Sequence, residues 1–161
     1  MTLSRKKFIF VSSPSDPPPI VCEIRRRILF HEVDVMAVVW FGNYCKLIDE
    51  AASRLSHVTG LTFDEFKRAG IMAPVKHMNI DYKLPLTMGE EVRVRAAMIW
   101  SDALRINIEF TMIKEDGRTA AVAHMIQLLM DAHSQLPIFV EPPLFEAFRG
   151  RWRRGEIESL S

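Results

Sequence analysis

Cysteine is scarce in this 161-residue sequence, which contains only Cys22 and Cys45. Neither cysteine lies in a Cys-x-x-Cys pair or in a cysteine–histidine cluster with zinc spacing, so the sequence predicts no metal site. A chain of this length can bury a core without cross-links, and a disulfide framework is therefore not expected. We expect two buried thiols in a reducing compartment and no metal or redox cofactor.

Excess charge of one sign and long apolar runs are also lacking. The formal net charge is +1 with neutral histidines, which excludes the strongly basic surface typical of nucleic-acid-binding proteins. No apolar run is long enough to cross a bilayer, and residues 8–11, the apolar part of the first segment, are too few for a signal peptide. A cytoplasmic location follows by default, with neither a nucleic acid nor a membrane as a partner.

The composition is that of one globular domain, since 48% of the residues are apolar and 25% are charged. A run of three prolines, residues 17–19, ends an N-terminal segment that we predict to be a flexible extension, residues 1–19. The domain itself is predicted for residues 20–152. A polar, frayed tail is predicted for residues 153–161.

Helices are predicted from the spacing of apolar residues and from capping signals. Apolar residues recur at the helical period over residues 41–59, which predicts one long helix that ends at Gly60. Thr62 and Glu65 form a capping box, which predicts a second, short helix directly afterwards. A third helix is predicted for residues 144–152.

Alternating apolar and polar residues predict strands on both sides of these helices. The order is one strand, a long helix, a short helix and four strands, which indicates the α+β class and excludes βαβ units. The long helix contains small residues such as Ala51 and Ala52, so we expect it to fit inside the curl of an antiparallel sheet. A hairpin turn is predicted at Glu115-Asp116-Gly117. The predicted strands are residues 20–30, 75–83, 91–100, 105–114 and 118–131.

An apolar connection, residues 31–40, joins the first strand to the long helix. Surface loops are usually polar because their backbone must meet water, so an apolar loop is expected to lie over a core or a pocket. Asp34 within this loop is ionised at neutral pH and can deprotonate water or attack a carbonyl carbon. Taken alone, an aspartate at such a place is more often a turn residue.

The combination of Asp34, Asn43, Tyr44 and Glu50 resembles, in order and spacing, the signature of acyl-CoA thioesterases of the 4-hydroxybenzoyl-CoA thioesterase type. The segment from Ile80 to Val92 is similar to the second strand and turn of that family, and the resemblance covers residues 20–150. It implies a hotdog fold, in which an antiparallel sheet of about five strands wraps one long central helix. It also implies a homodimer, often paired into a homotetramer, with the active sites at the subunit interface.

The resemblance further implies hydrolysis of an acyl-CoA or acyl carrier protein thioester. Asp34 is then the general base or nucleophile, and the backbone N–H of Phe41 at the start of the long helix polarises the thioester carbonyl. Glu50 is a second candidate carboxylate, for which a structural or water-orienting role is favoured. The candidate substrate-binding residues are Met36, Val39, Trp40, Asn43 and His77.

Several alternatives remain open at this point. The family usually has Gly where this chain has Ala37, which is expected to change the shape of the loop or the acyl group accepted. Glu32 is expected to be a solvated or ion-paired residue, and His31 a packed side chain. A protein that binds an acyl thioester or a lipid without cleaving it is the main rival function. A dehydratase ranks last, because the segment that enters the helix lacks the required histidine.

Overall fold

The structure, a computed structural model, describes residues 10–160. The predicted extension is thus visible only from residue 10, and residues 1–9 lie outside the described part. Within that part, Phe10 places its ring 5.5 Å from the ring of His124, and the carbonyl of Pro18 accepts a hydrogen bond of 2.8 Å from Trp152. The flexibility of the extension and the domain limits at residues 20 and 152 stay predictions.

Five antiparallel strands form the main sheet. Strict alternation fixes the register: Ala96 pairs with Phe110, and Phe110 pairs with Ala123, so these three side chains share one buried face. The strands of this sheet are β1 (Ile20–Arg27), β3 (Val75–Tyr82), β4 (Glu91–Ile99), β5 (Arg105–Lys114) and β6 (Thr119–Leu128). They lie side by side in the order β1-β4-β5-β6-β3. A separate two-stranded ribbon pairs β2 (Ile71–Met72) with β7 (Met130–Asp131).

Helix α1 (Tyr44–Thr59) packs against β1 and β4. Its buried residues, which include Leu47, Ala51 and Leu55, lie on one face, whereas the opposite face is exposed. The helix is therefore buried on one side only, and its other side is not enclosed by the sheet of the same subunit. It ends at Gly60, which has the left-handed φ of 79° that the predicted C-terminal cap requires.

Two shorter helices complete the fold, α2 (Phe63–Ala69) and α3 (Pro143–Arg153). The predicted cap of α2 is confirmed, since the hydroxyl of Thr62 accepts from the backbone N–H of Glu65 at 3.4 Å. The predicted hairpin turn between β5 and β6 is confirmed as well, with Gly117 at a φ of 87°. An antiparallel sheet of five strands packed on one long central helix is the hotdog fold that the sequence resemblance implies.

The polar tail does not fray over its whole length, because its end pairs with the outer edge of β1. Leu160 donates to the carbonyl of Val21 at 2.8 Å, and its own carbonyl accepts from Glu23 at 3.1 Å. The hydroxyl of Ser159 accepts from the backbone N–H of Val21 at 2.9 Å. These bonds satisfy backbone groups that an edge strand otherwise leaves unpaired.

The structure also bears on the two cysteines and on the absence of a membrane span. Cys22 is buried as predicted, but Cys45 is exposed, so the expectation of two buried thiols is wrong for the second cysteine. Across residues 10–160, none of the helices combines the length and the apolar character needed to traverse a bilayer.

Candidate active site

The apolar connection folds as a small hairpin over residues 33–39. Val33 and Val39 form an antiparallel bridge, and the backbone N–H of Asp34 donates to the carbonyl of Val38 at 2.9 Å. The turn closes through a 2.9 Å bond from Ala37 to the carbonyl of Asp34. Ala37 adopts a φ of 59°, the left-handed conformation that glycine takes at little cost. The turn thus contains an alanine in a conformation that favours glycine.

The hairpin rests on the loop between β3 and β4. Val39 donates to the carbonyl of Leu86 at 2.8 Å, and Met88 donates to the carbonyl of Ala37 at 3.2 Å. That loop is held in turn by a largely buried ion pair, in which the ammonium group of Lys114 lies 2.8 Å from a carboxylate oxygen of Glu90. Asp34 is thus exposed on a hairpin that is held by hydrogen bonds to the loop between β3 and β4.

The carboxylate of Asp34 is partly used within its own turn. One oxygen accepts a 2.8 Å hydrogen bond from the backbone N–H of Met36, which is the bond of an Asx-turn. The second oxygen accepts nothing from residues 10–160, and Asp34 as a whole is exposed. The structure therefore gives Asp34 the ordinary turn role and leaves one oxygen available for chemistry.

Glu32 is buried, with only 2% of its surface exposed, so the expectation of a solvated residue is wrong and that of an ion-paired residue is confirmed. Its carboxylate pairs with the guanidinium of Arg26 and accepts from the backbone N–H of Leu29 at 2.8 Å. Burial acts to raise the pKa of Glu32, but the Leu29 hydrogen bond and Arg26 outweigh burial and hold that pKa below its ordinary value.

The carbonyl of Glu32 joins the hairpin to the start of the helix. It accepts from the backbone N–H of Trp40 at 3.0 Å and from the side-chain amide of Asn43 at 2.8 Å. Asn43, a candidate substrate-binding residue, thus uses one N–H of its side-chain amide to secure the turn. One residue thus fixes the distance between the Asp34 hairpin and the helix entrance.

The helix begins later than predicted, because residues Phe41–Asn43 form a 3-10 turn and α1 starts at Tyr44. The backbone N–H groups of Phe41 and Gly42 donate to no acceptor within residues 10–160. They therefore remain free at the positive end of the turn and helix. A Cβ at Gly42 would overlap the ring of Trp40, so a side chain there requires that exposed ring to move.

Tyr82 also contacts the candidate site, although sequence analysis did not single it out. Its hydroxyl donates to the carbonyl of Phe41 at 2.9 Å, and its ring meets that of Tyr44 edge-on at 4.9 Å. Burial raises the pKa of Tyr82, so the phenol is protonated at neutral pH and can donate. The end of β3 is thereby tied to the turn that presents the free amides.

Of the remaining predicted site residues, some lie beside Asp34 and others do not. Met36 and Trp40 are exposed beside Asp34 on the hairpin and its end, whereas Val39 is buried in the core. Glu50 directs its carboxylate to Arg26, which agrees with a structural role. His77 lies in register with Ile126, on the face of the sheet opposite α1, so a single subunit does not bring it to Asp34.

A metal site is not part of this arrangement. Within residues 10–160, no three side chains of the histidine, cysteine, aspartate or glutamate type are grouped so that they could hold a metal ion. The chemistry available at the hairpin is that of a carboxylate and two backbone amides.

Comparison with known proteins agrees with this geometry. Residues 28–151 match the thioesterase-like superfamily. A 1,4-dihydroxy-2-naphthoyl-CoA hydrolase of Thermosynechococcus vestitus is 23% identical over 130 residues, which cover 80% of this chain and 88% of the relative. These similarities place the chain in the superfamily and do not single out the 4-hydroxybenzoyl-CoA thioesterase type that the sequence motif resembles.

Solved structures share the fold over most of the chain. A DHNA-CoA thioesterase from Staphylococcus aureus superposes with a TM-score of 0.75 at 20% identity, covering 85% of this chain and 91% of the other. A hypothetical protein from Staphylococcus aureus, solved in complex with CoA, gives a TM-score of 0.73 at 16% identity and covers 89% of each chain. At these identities the superpositions establish the hotdog fold alone.

Proposed function

Because the chain belongs to the thioesterase-like superfamily, we propose that it hydrolyses acyl thioesters of CoA or of an acyl carrier protein to the free acid and the thiol. Asp34 is the general base or the nucleophile, and the free amides at Phe41 and Gly42 receive the carbonyl oxygen. A CoA hydrolase among the relatives and a CoA complex among the structural neighbours support a CoA thioester as the substrate.

The reaction has two steps that these groups can assist. Asp34 removes a proton from water as the water oxygen bonds to the thioester carbon, or its own oxygen bonds to that carbon and water later cleaves the anhydride. In both routes the carbonyl oxygen gains negative charge, which the two N–H groups stabilise. One such donor typically contributes about 10²–10³ in rate. The C–S bond then breaks, and the thiolate leaves and takes up a proton.

The observation that carries the proposal is the double hydrogen bond to the carbonyl of Glu32. It holds Trp40 and Asn43 at 3.0 and 2.8 Å, on either side of the free amides, while the Asp34 hairpin follows directly in the chain. The carboxylate and the amides therefore belong to one hydrogen-bonded segment. Preorganised donors of this kind need no rearrangement as charge develops.

We infer that a second copy of the chain covers this unit and completes the site. Val35, Met36 and Phe41 expose between 65% and 104% of their surface around Asp34, an arrangement typical of an interface. Of the two sheet edges, β1 is covered by the tail, whereas β3 has no strand partner on its outer side within residues 10–160. Pairing of two β3 strands gives a homodimer, and we expect dimers to pair into a homotetramer.

The assembly can be tested by light scattering coupled to size-exclusion chromatography. A Val35→Glu variant places a charge on the proposed interface, so it should elute as a smaller species than the parent while keeping its circular dichroism spectrum. A parent protein that is monomeric at micromolar concentration contradicts the inferred interface.

The catalytic assignment is tested by Asp34→Asn, which keeps an oxygen to accept from Met36 and thus preserves the turn. Thiol release from acyl-CoA should fall by about 10²–10⁴, with an unchanged melting temperature. Asp34→Ala serves as the control, because it removes the turn bond as well and should lose stability in addition. Parental turnover by a folded Asp34→Asn protein refutes the assignment.

A non-catalytic protein that binds an acyl thioester or a lipid is the second candidate. It is favoured by one observation, the Asx-turn bond of Asp34 to Met36, since a turn aspartate needs no catalytic purpose. Acyl-CoA binding without thiol release, across a panel that includes 1,4-dihydroxy-2-naphthoyl-CoA and 4-hydroxybenzoyl-CoA, identifies this function.

A further inference from the structure

A cleft of about 560 Å³ lies between α1, α2 and the face of the sheet that α1 covers. This volume is within the range of about 300–1,000 Å³ typical of small-molecule sites. The floor consists of Met98, Ile106 and Ile108 from β4 and β5, and α2 closes one side with Phe63 and Phe66. The Asp34 hairpin does not line the cleft, so the cleft is a separate feature of the same face.

The cleft runs along α1, away from the free amides at the start of the helix. Asp49, Ser53, Ser56 and Thr59 line it, and their spacing of three or four residues places them on one helix face. Asp49 follows Tyr44 by five residues, a rise of about 8 Å, and Thr59 lies about 15 Å further along the axis. The near end of the cleft therefore lies about 8 Å along the helix axis from the start of α1.

The polar groups inside the cleft are already satisfied. The hydroxyl of Ser56 donates to the carbonyl of Ser53 at 2.8 Å, and that of Thr59 donates to the carbonyl of Leu55 at 3.0 Å. The side-chain amide of Gln127 donates to the carbonyl of Ala73 at 2.8 Å. A site built for a hydroxylated ligand presents groups that such a ligand must pair, and these donors are already in use.

The three other polar side chains of the cleft lie at its rim. Asp49, Ser53 and Lys67 are exposed, so the charges remain in water when the interior is filled. The interior offers apolar surface, and a flexible or branched hydrocarbon gains most from it. Asp49 at the end nearest the amides also disfavours an acyl group that carries a second carboxylate.

We propose that this cleft receives the hydrocarbon part of an extended aliphatic acyl group and makes the protein selective for such thioesters over dihydroxy-aromatic ones. The proposal rests on the proposed function, because it takes the amides at Phe41 and Gly42 as the place of the thioester carbonyl. It differs from what the name of the hydrolase relative indicates, a dihydroxynaphthoyl thioester.

The first test measures the affinity of thioether analogues of acyl-CoA, which cannot be hydrolysed, by isothermal titration calorimetry. Each methylene that enters the cleft should tighten binding about fourfold, until the cleft is full and the gain stops. The 1,4-dihydroxy-2-naphthoyl analogue should bind more weakly than the best aliphatic one. Affinity that does not depend on chain length, or that is highest for the naphthoyl analogue, overturns the proposal.

The second test narrows the cleft at its rim with Ser53→Phe. Ser53 is exposed and its hydroxyl bonds to none of residues 10–160, so the fold should tolerate the change. The longest analogues should lose about fifteenfold in affinity, the contribution of two methylenes, and the acetyl analogue should bind as to the parent. His57→Phe is the matched control, since His57 is exposed on the same helix but does not line the cleft.

These tests separate the cleft from the catalytic assignment. Chain-length-dependent binding without thiol release from the natural thioesters refutes the hydrolase function and leaves the cleft assignment standing. Thiol release combined with equal weakening of short and long analogues by Ser53→Phe refutes the cleft assignment alone.

Discussion

Glu32→Gln tests whether the buried ion pair holds the candidate site together. The substitution keeps the size of the side chain and an oxygen to accept from Leu29, which now donates at 2.8 Å, but it removes the charge that Arg26 faces. Breaking a buried pair typically costs about 3–5 kcal/mol, because one charge is left uncompensated. Arg26 retains its contact with Glu50, so we expect a smaller loss of about 2–3 kcal/mol.

The measurement is the melting temperature, with Glu50→Gln as the matched control. For a protein of this size, about 2–3 kcal/mol corresponds to a decrease of about 4–12 °C. The Glu50 side chain is 46% exposed, and a pair of this kind contributes less than about 1 kcal/mol. Equal decreases for the two variants refute the reasoning, because burial is then not what distinguishes the two carboxylates.

The pH dependence provides a second readout of the same pair. The pKa of Glu32 in the folded protein lies below its ordinary value, since the Leu29 bond and Arg26 outweigh the opposing effect of burial. A lowered folded pKa stabilises the protein above the unfolded pKa of about 4.3, and this stabilisation is lost as the pH falls through the folded pKa. The difference in unfolding free energy between parent and Glu32→Gln should therefore be full at pH 7 and shrink below about pH 4. A difference that stays constant from pH 7 to pH 3 contradicts the assignment.

Two further predictions concern the turn and the tail. Ala37→Gly removes the strain of a left-handed conformation, which costs alanine about 1–2 kcal/mol, but it adds about 0.4–1 kcal/mol of chain entropy to the unfolded state. The free energy of unfolding measured in urea should therefore rise by about 0.5–1 kcal/mol, and a decrease refutes the prediction. Removal of residues 158–161 deletes three hydrogen bonds to β1 and should lower the free energy of unfolding by about 1–3 kcal/mol. Aggregation through the uncovered strand edge should then increase light scattering. Ser159→Ala loses one of the three bonds and should lower the free energy of unfolding by a third as much or less.

The fold was predictable because its elements carry local signals. The bounds predicted for β5, Arg105–Lys114, are those observed, since apolar and polar residues alternate there without interruption. The cap of α2 depends on Thr62 and Glu65, which are neighbours in sequence. The pairing of Leu160 with β1 had no such signal, because the tail is polar and its partner lies more than a hundred residues away.

The site was only partly predictable for the same reason. Asp34 and Asn43 belong to one segment whose spacing can be read along the chain. The buried position of Glu32 depends on Arg26 of the preceding strand and on the hydrogen bonds of its own carbonyl, which only the folded loop creates. Tyr82 reaches Phe41 across 41 positions of sequence, and the cleft along α1 exists only where two helices and a sheet meet.

The exposure of Asp34 links the proposed chemistry to the proposed assembly. In a single subunit the free carboxylate oxygen faces water, where the attraction between two unit charges at 4 Å is about 1 kcal/mol, whereas it is about 4 kcal/mol in a partly shielded site. The amides of Phe41 and Gly42 gain in the same way when water is excluded. The apolar side chains of Val35 and Met36 flank the carboxylate on a hairpin that is hydrogen-bonded to Leu86 and Glu32. A second subunit can therefore exclude water there without moving the groups proposed to be catalytic. A carboxylate that acts only as a turn residue needs no such surroundings, and the activity of the Val35→Glu protein should therefore fall with the loss of the dimer.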